Sequence, residues 1–182
     1  VHHFTDARFL AAFVDDGRYA RAQLWDDEGR TWLQASGATH PAYWRRDGAD
    51  DWQQRRFDRW LGLDADAPMV HVNRHEAAAW CRWAGRRLPT ESEWACAALC
   101  GAIAPSSVWE WTSSPFTPYP GFQADAYAEY SAPWFSTHHS VRGASTATYD
   151  APTLSRKANV RARSVSSSQA ACRNSTSIPS SA

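Results

Sequence analysis

The chain has 182 residues, with 19 Lys+Arg against 19 Asp+Glu. That is enough for one domain with a real core and too few for two comfortable ones. Balanced charge provides no whole-chain attraction to nucleic acid or to an anionic membrane. No apolar run approaches the roughly 20 residues of a membrane span, and no charged-then-apolar leader opens the chain. The first residue is Val1 rather than Met, so we expect a piece of a longer protein.

The first predicted element lies in "FTDARFLAAFVDDG". Thr5 is a good helix cap, Phe9, Leu10, Phe13 and Val14 recur at helical spacing, and Gly17 ends the run. Residues 18–62 mix tryptophans with charges and turn residues, as in "LWDDEGRTWLQ", "PAYWRRDG" and "DWQQRRFDRW". They read as short strands and irregular loops. "PMVHVN" (68–73) reads as a strand running into a helix, with Asn73 as cap and Glu76 three residues on, close to a capping box. Ala77, Trp80, Cys81 and Ala84 form that helix's apolar face, and Gly85 closes it. Thr90 and Glu93 make a second capping box, with Trp94, Ala97 and Ala98 as the buried stripe.

Beyond residue 101 the helical period is lost. "VWEWT" alternates, so it reads as a strand with Val108, Glu110 and Thr112 on one face and the tryptophans on the other. Pro115, Pro118 and Pro120 make residues 113–122 a stiff loop. "HSVRGAS" (139–145) reads as a later strand and turn. After Tyr149 there is no aromatic residue. Residues 155–182 hold nine serines, five Lys/Arg and no Asp/Glu. Such a segment cannot bury enough apolar surface to order itself, so we expect a domain over 1–154 and a disordered tail over 155–182.

Candidate chemistry is sparse. His71 and His75 are four apart, but the cap at Asn73 falls between them, and "HEAAA" is not the H-E-x-x-H of zinc proteases. Adjacent His138 and His139 point apart on a strand. There is no G-x-S-x-G elbow and no Gly-rich phosphate loop. The arginines of "WCRWAGRRLP" either bind a carboxylate or phosphate, or stack on tryptophans and pair with Glu91 and Glu93. The four cysteines, Cys81, Cys96, Cys100 and Cys172, form no C-x-x-C pair and read as buried free thiols, which points to a reducing cytoplasm. Eleven tryptophans suit a core or a ligand cleft alike. Tyr119, held between two prolines, is a rigid phenol able to donate a proton or hydrogen bond at a reacting centre; the alternative is an aromatic loop packed on a core.

"HVNRHEAAAWCRWAGRRLPTESEWACAA" followed by "VWEWT" and "VRGAS" resembles the formylglycine-generating-enzyme, or sulfatase-modifying-factor, domain, whose members share an "EAxAWCRWAGxRLPTExEWE"-like helix pair, "GNVWEW" and "RGGS". The resemblance runs from the first helix to about residue 148. "SPFTPYPGFQADAYAEYSAPWF" (114–135) is similar to one branch, the iron-dependent sulfoxide synthases of ergothioneine biosynthesis and their selenoneine-making relatives. Thr146, Ala147, Thr148 and Tyr149 stand where formylglycine-generating oxidases place reactive cysteines.

The resemblance implies an α+β, C-type-lectin-like fold with two main helices, short strands and much irregular loop. It implies an enzyme using non-haem iron(II) and O2 to join a thiol or selenium donor to C2 of the imidazole of trimethylhistidine. Three histidines of an amino-terminal helical domain, absent from this chain, would hold the iron. This domain would shape the cleft for those small-molecule substrates and contribute a catalytic tyrosine: Tyr119 first, with Tyr127 and Tyr130 as alternatives. It implies no nucleic-acid or membrane partner. Some members bind calcium near "GNVWEW", where this chain has Ser106-Ser107 instead of Gly-Asn. The aromatic "RNF" and "GFR" ending of the family is missing after residue 149, as a reading-frame shift would produce. The other reading is a non-catalytic lectin-like module that displays aromatic loops to a ligand or protein.

Overall fold

In the computed structural model the described residues are 6–48, 51–103, 108–124 and 132–144. The chain divides between Leu88 and Pro89 into two compact units. The α+β expectation holds: four α-helices are present among the described residues, three of them expected from the sequence, with small antiparallel sheets and long loops.

In the first unit, helix α1 (Ala7–Asp15) buries Ala7, Leu10 and Phe13. Its N-cap is Asp6 rather than Thr5; of the expected stripe Leu10 and Phe13 are buried and Val14 is half-buried, while Phe9 is half exposed. Two short 3-10 turns, Arg18–Ala20 and Ala22–Leu24, lead to α2 (Asp27–Ser36). This second helix replaces an expected loop. Asp26 caps it by accepting from the Gly29 N–H at 2.8 Å, Asp27 and Glu28 occupy its first turn, and left-handed Gly37 ends it. Gly29 and the small number of apolar residues hide the helical period there.

Strands β1 (Trp44–Asp47), β2 (Asp51–Arg56) and β3 (Arg59–Gly62) form an antiparallel meander in that order. Trp44 and Trp52 point inward with ring centroids 5.5 Å apart. The expected strand over 68–73 is not formed. Pro68 makes only an isolated bridge to Asp6, and His71 takes a left-handed φ of 62°, which breaks an extended run. Helix α3 (Arg74–Trp83) has the full capping box, with the Asn73 side chain on the Glu76 N–H and the Glu76 carboxylate on the Asn73 N–H. At its far end Gly85 is left-handed, the Gly85 N–H reaches the Arg82 carbonyl and the Arg86 N–H reaches the Cys81 carbonyl, a Schellman stop.

The core of this unit is a run of rings. Phe13 packs edge-on against Tyr19 and Trp83, Tyr19 lies 5.3 Å from Trp25, and Trp25 lies 5.8 Å from Trp32. Glu76 is buried within it, accepting from the Tyr19 hydroxyl at 2.7 Å. Burial pushes both the Glu76 carboxyl and the Tyr19 phenol above their ordinary ranges.

In the second unit, α4 (Glu91–Leu99) has the Thr90–Glu93 capping box and ends at left-handed Gly101. Of its expected stripe, Ala97 is buried and Trp94 and Ala98 are half-buried. Strands β4 (Trp109–Pro115) and β5 (His139–Gly143) pair antiparallel, with an irregularity between Trp111 and Pro115. The expected alternation of β4 is present with its inner face polar. Glu110 and Thr112 are buried, whereas Trp109 is 53% exposed. Thr112 donates to the Ser140 carbonyl at 2.7 Å, and one oxygen of Glu110 accepts from Trp94 Nε1 at 2.6 Å.

Candidate functional site

The loop after β4 is shaped by its prolines and one glycine. The Phe122 N–H reaches the Tyr119 carbonyl at 2.9 Å, with Pro120 and left-handed Gly121 between them, the residue order of a type II turn. Phe116 and Phe122 both pack on Phe135, at 5.2 and 5.3 Å. The Phe116 N–H bonds to the His138 carbonyl and the Ser136 N–H to the Phe116 carbonyl, which ties the loop to the segment before β5.

Tyr119 is 47% exposed, so packing does not account for its placement. Its hydroxyl contacts the Glu91 carboxylate and accepts from Arg142 Nη2 at 2.6 Å. Glu91 and Arg142 form an ion pair. The second Glu91 oxygen accepts from Ser140 Oγ at 3.1 Å, and the Glu91 N–H donates to Ser114 Oγ at 2.9 Å. Residues from α4, β4, the proline loop and β5 thus form one cluster around Glu91, in which the Tyr119 phenol donates to a carboxylate while accepting from a guanidinium. Ser114, Ser140 and Arg142 carry no local signal that could have joined them to Tyr119. Tyr127 and Tyr130 lie outside the described residues.

The other sequence candidates separate. Of the arginines of "WCRWAGRRLP", Arg82 bonds to the Leu24 carbonyl and to Asp26 rather than to Glu91 or Glu93. Arg18 rather than the "RR" pair stacks on Trp83. His75 stacks on Trp32, and His71 lies edge-on to Tyr43. Cys81 is a buried free thiol, raised to about 11 by burial. Cys100 is exposed and Cys96 is disulfide-bonded, against the expectation of four buried free thiols.

Among the described residues no three of His, Cys, Asp and Glu are grouped to hold a metal, so they do not fit an iron centre. Glu110 Oε1 is buried with no hydrogen-bond partner. It is a single oxygen where calcium takes about six to eight, and Ser106-Ser107 lie outside the described residues, so the described residues do not make a calcium site either. Among the described residues no helix is long and apolar enough to cross a membrane.

Residues 2–106 match the family described as the sulfatase-modifying factor enzyme 1-like domain, and the chain belongs to that family. It is 34% identical over 179 aligned residues to a hercynine oxygenase of Mycobacterium tuberculosis, covering 73% of this chain and 41% of that protein. A hercynine oxygenase of Mycolicibacterium thermoresistibile is 34% identical over 169 residues, covering 68% of this chain and 37% of its own length. A formylglycine-generating enzyme of Streptomyces coelicolor is 32% identical over 114 residues, 58% of this chain and 36% of the relative. The chain therefore spans about two fifths of the hercynine oxygenases it matches.

Proposed function

We propose that this chain is the carboxy-terminal domain of a non-haem-iron, O2-dependent sulfoxide or selenoxide synthase. The whole enzyme would join a thiol or selenium donor to C2 of the imidazole of trimethylhistidine, which is hercynine. The observation that carries this reading is the similarity to hercynine oxygenases over 73% of the chain. In this reading the iron ligands stand on an amino-terminal helical domain of the whole enzyme, and the chain works in the cytoplasm together with that domain. What the chain itself contributes is placement: the proline loop holds Tyr119, and Glu91 and Arg142 fix the direction of its hydroxyl. The phenol is half exposed, and it can deliver a hydrogen bond or a proton to a bound substrate once its single O–H turns from Glu91 toward that substrate.

The test is O2 consumption by the full-length gene product supplied with iron(II), trimethylhistidine and a thiol. Turnover is expected, and none at all would sink the reading. Tyr119→Phe in that protein is expected to reduce turnover about 10²-fold with the circular dichroism spectrum unchanged. Unaltered turnover in Tyr119→Phe would pass the catalytic role to Tyr127 or Tyr130.

A further inference from the structure

The first unit has an open surface depression of about 340 Å³ bordered by Tyr43, Arg55, Phe57 and His71. It is separate from the Tyr119 cluster in sequence and in chemistry. We propose that it binds a small planar carboxylate, such as a benzoate-like acid.

The backbone carries the first part of the argument. Within the described residues only three non-glycine residues have positive φ, and two of them, Phe57 at 54° and His71 at 62°, line this one depression. Arg56 pairs with Arg59, so Phe57 and Asp58 form a two-residue hairpin loop. Phe57 occupies its first position, where a left-handed φ strongly favours glycine. The phenyl ring is 96% exposed, so it contributes almost nothing to the core. A strained backbone that presents an unburied ring runs against stability on both counts, and such outliers concentrate at ligand sites.

The chemistry carries the second part. On the neighbouring strand β1 both arginines are engaged: Arg45 lies 4.4 Å over Trp60 and donates to Gln53, and Arg46 contacts Asp15 and lies over Trp52. Arg55 differs. Its Nε donates to the Phe57 carbonyl at 2.9 Å, which fixes the guanidinium against the hairpin loop. No acceptor among the described residues meets its two Nη nitrogens, which remain available for a bidentate carboxylate. The rings of Tyr43 and His71 stand 5.1 Å apart and 65° inclined, and with Phe57 they supply apolar faces for a flat body. The Tyr43 hydroxyl and a His71 N–H supply two more polar atoms. One cation, three rings and a volume at the small end of ligand pockets suit a single planar anion.

The test titrates the full chain with benzoate, followed by tryptophan fluorescence and by NMR. Benzamide serves as the uncharged control and cyclohexanecarboxylate as the non-planar one. Saturable benzoate binding near about 1 mM or tighter is expected, with each control at least about tenfold weaker. Arg55→Gln is expected to weaken benzoate binding at least about tenfold, as the loss of a charge-assisted pair does. Phe57→Gly is expected to weaken it while keeping or raising Tm, because glycine suits the left-handed position. No saturation by about 10 mM benzoate would overturn the proposal. So would benzamide binding as tightly as benzoate, unchanged binding in either variant, or a lowered Tm in Phe57→Gly, which would make that ring structural.

Discussion

Asp26 joins three roles in one side chain. It caps α2 through the Gly29 N–H, bonds to Arg82 at 3.1 Å and lies 3.9 Å from Arg74. Partial burial pushes its carboxyl upward, but the Gly29 N–H and the two guanidinium groups outweigh that and hold it below the ordinary range. A carboxyl lowered on folding contributes stability that is complete above its unfolded value of about 4 and is lost as pH falls through the folded value. Asp26→Asn keeps a capping oxygen and removes the charge. We expect it to lose about 0.5–1 kcal/mol at pH 7 by urea unfolding, with the deficit shrinking as pH falls below about 4. Glu76 acts with the opposite sign. Its carboxyl is raised by burial, so its ionisation disfavours the folded state as pH rises through the window above its ordinary value.

Strand β4 shows how an element's pattern and its orientation are separate matters. The alternation of "VWEWT" predicts two faces, and two faces exist. Residue type alone would turn the tryptophans inward, yet Thr112 is fully buried and Trp109 is half exposed. The reason is that α4 brings Trp94 Nε1 to Glu110, and β5 brings the Ser140 carbonyl to Thr112. Thr112→Val has nearly the same volume and removes that donor. It is expected to lower stability by about 1–2 kcal/mol, read as a lower urea midpoint with an unchanged slope. At the end of the β5 pairing, Gly143 has φ 110° and a Cβ there would overlap the Val108 carbonyl oxygen, so the family's glycine at this place is a steric requirement.

At the scale of the whole molecule, the chain carries a family domain and about two fifths of the length of the hercynine oxygenases it resembles. Because the described residues do not group three metal-binding side chains, added iron(II) is expected to leave the Tm of this chain unchanged. The full-length product should gain about 3 kcal/mol at a hundredfold excess over its dissociation constant. A clear rise in Tm for this chain alone would show that it holds iron after all.

Both capping boxes, at Asn73–Glu76 and Thr90–Glu93, are legible in the sequence because a cap is a local bargain among four consecutive residues. The proline turn that presents Tyr119 is legible for the same reason: Pro120 and Gly121 restrict their own dihedrals. Helix α2 was within reach through Asp26 and Gly37, but its apolar residues are too few to show a period. Only the tertiary structure decided which face of β4 is buried, that residues 68–73 do not form a strand, and that Glu91 and Arg142 meet at the Tyr119 phenol with Ser140 on Glu91. The side-chain bonds behind β4 and the Tyr119 cluster join residues 16 to 49 apart along the chain, and no local propensity encodes which distant group will satisfy a buried oxygen or a guanidinium.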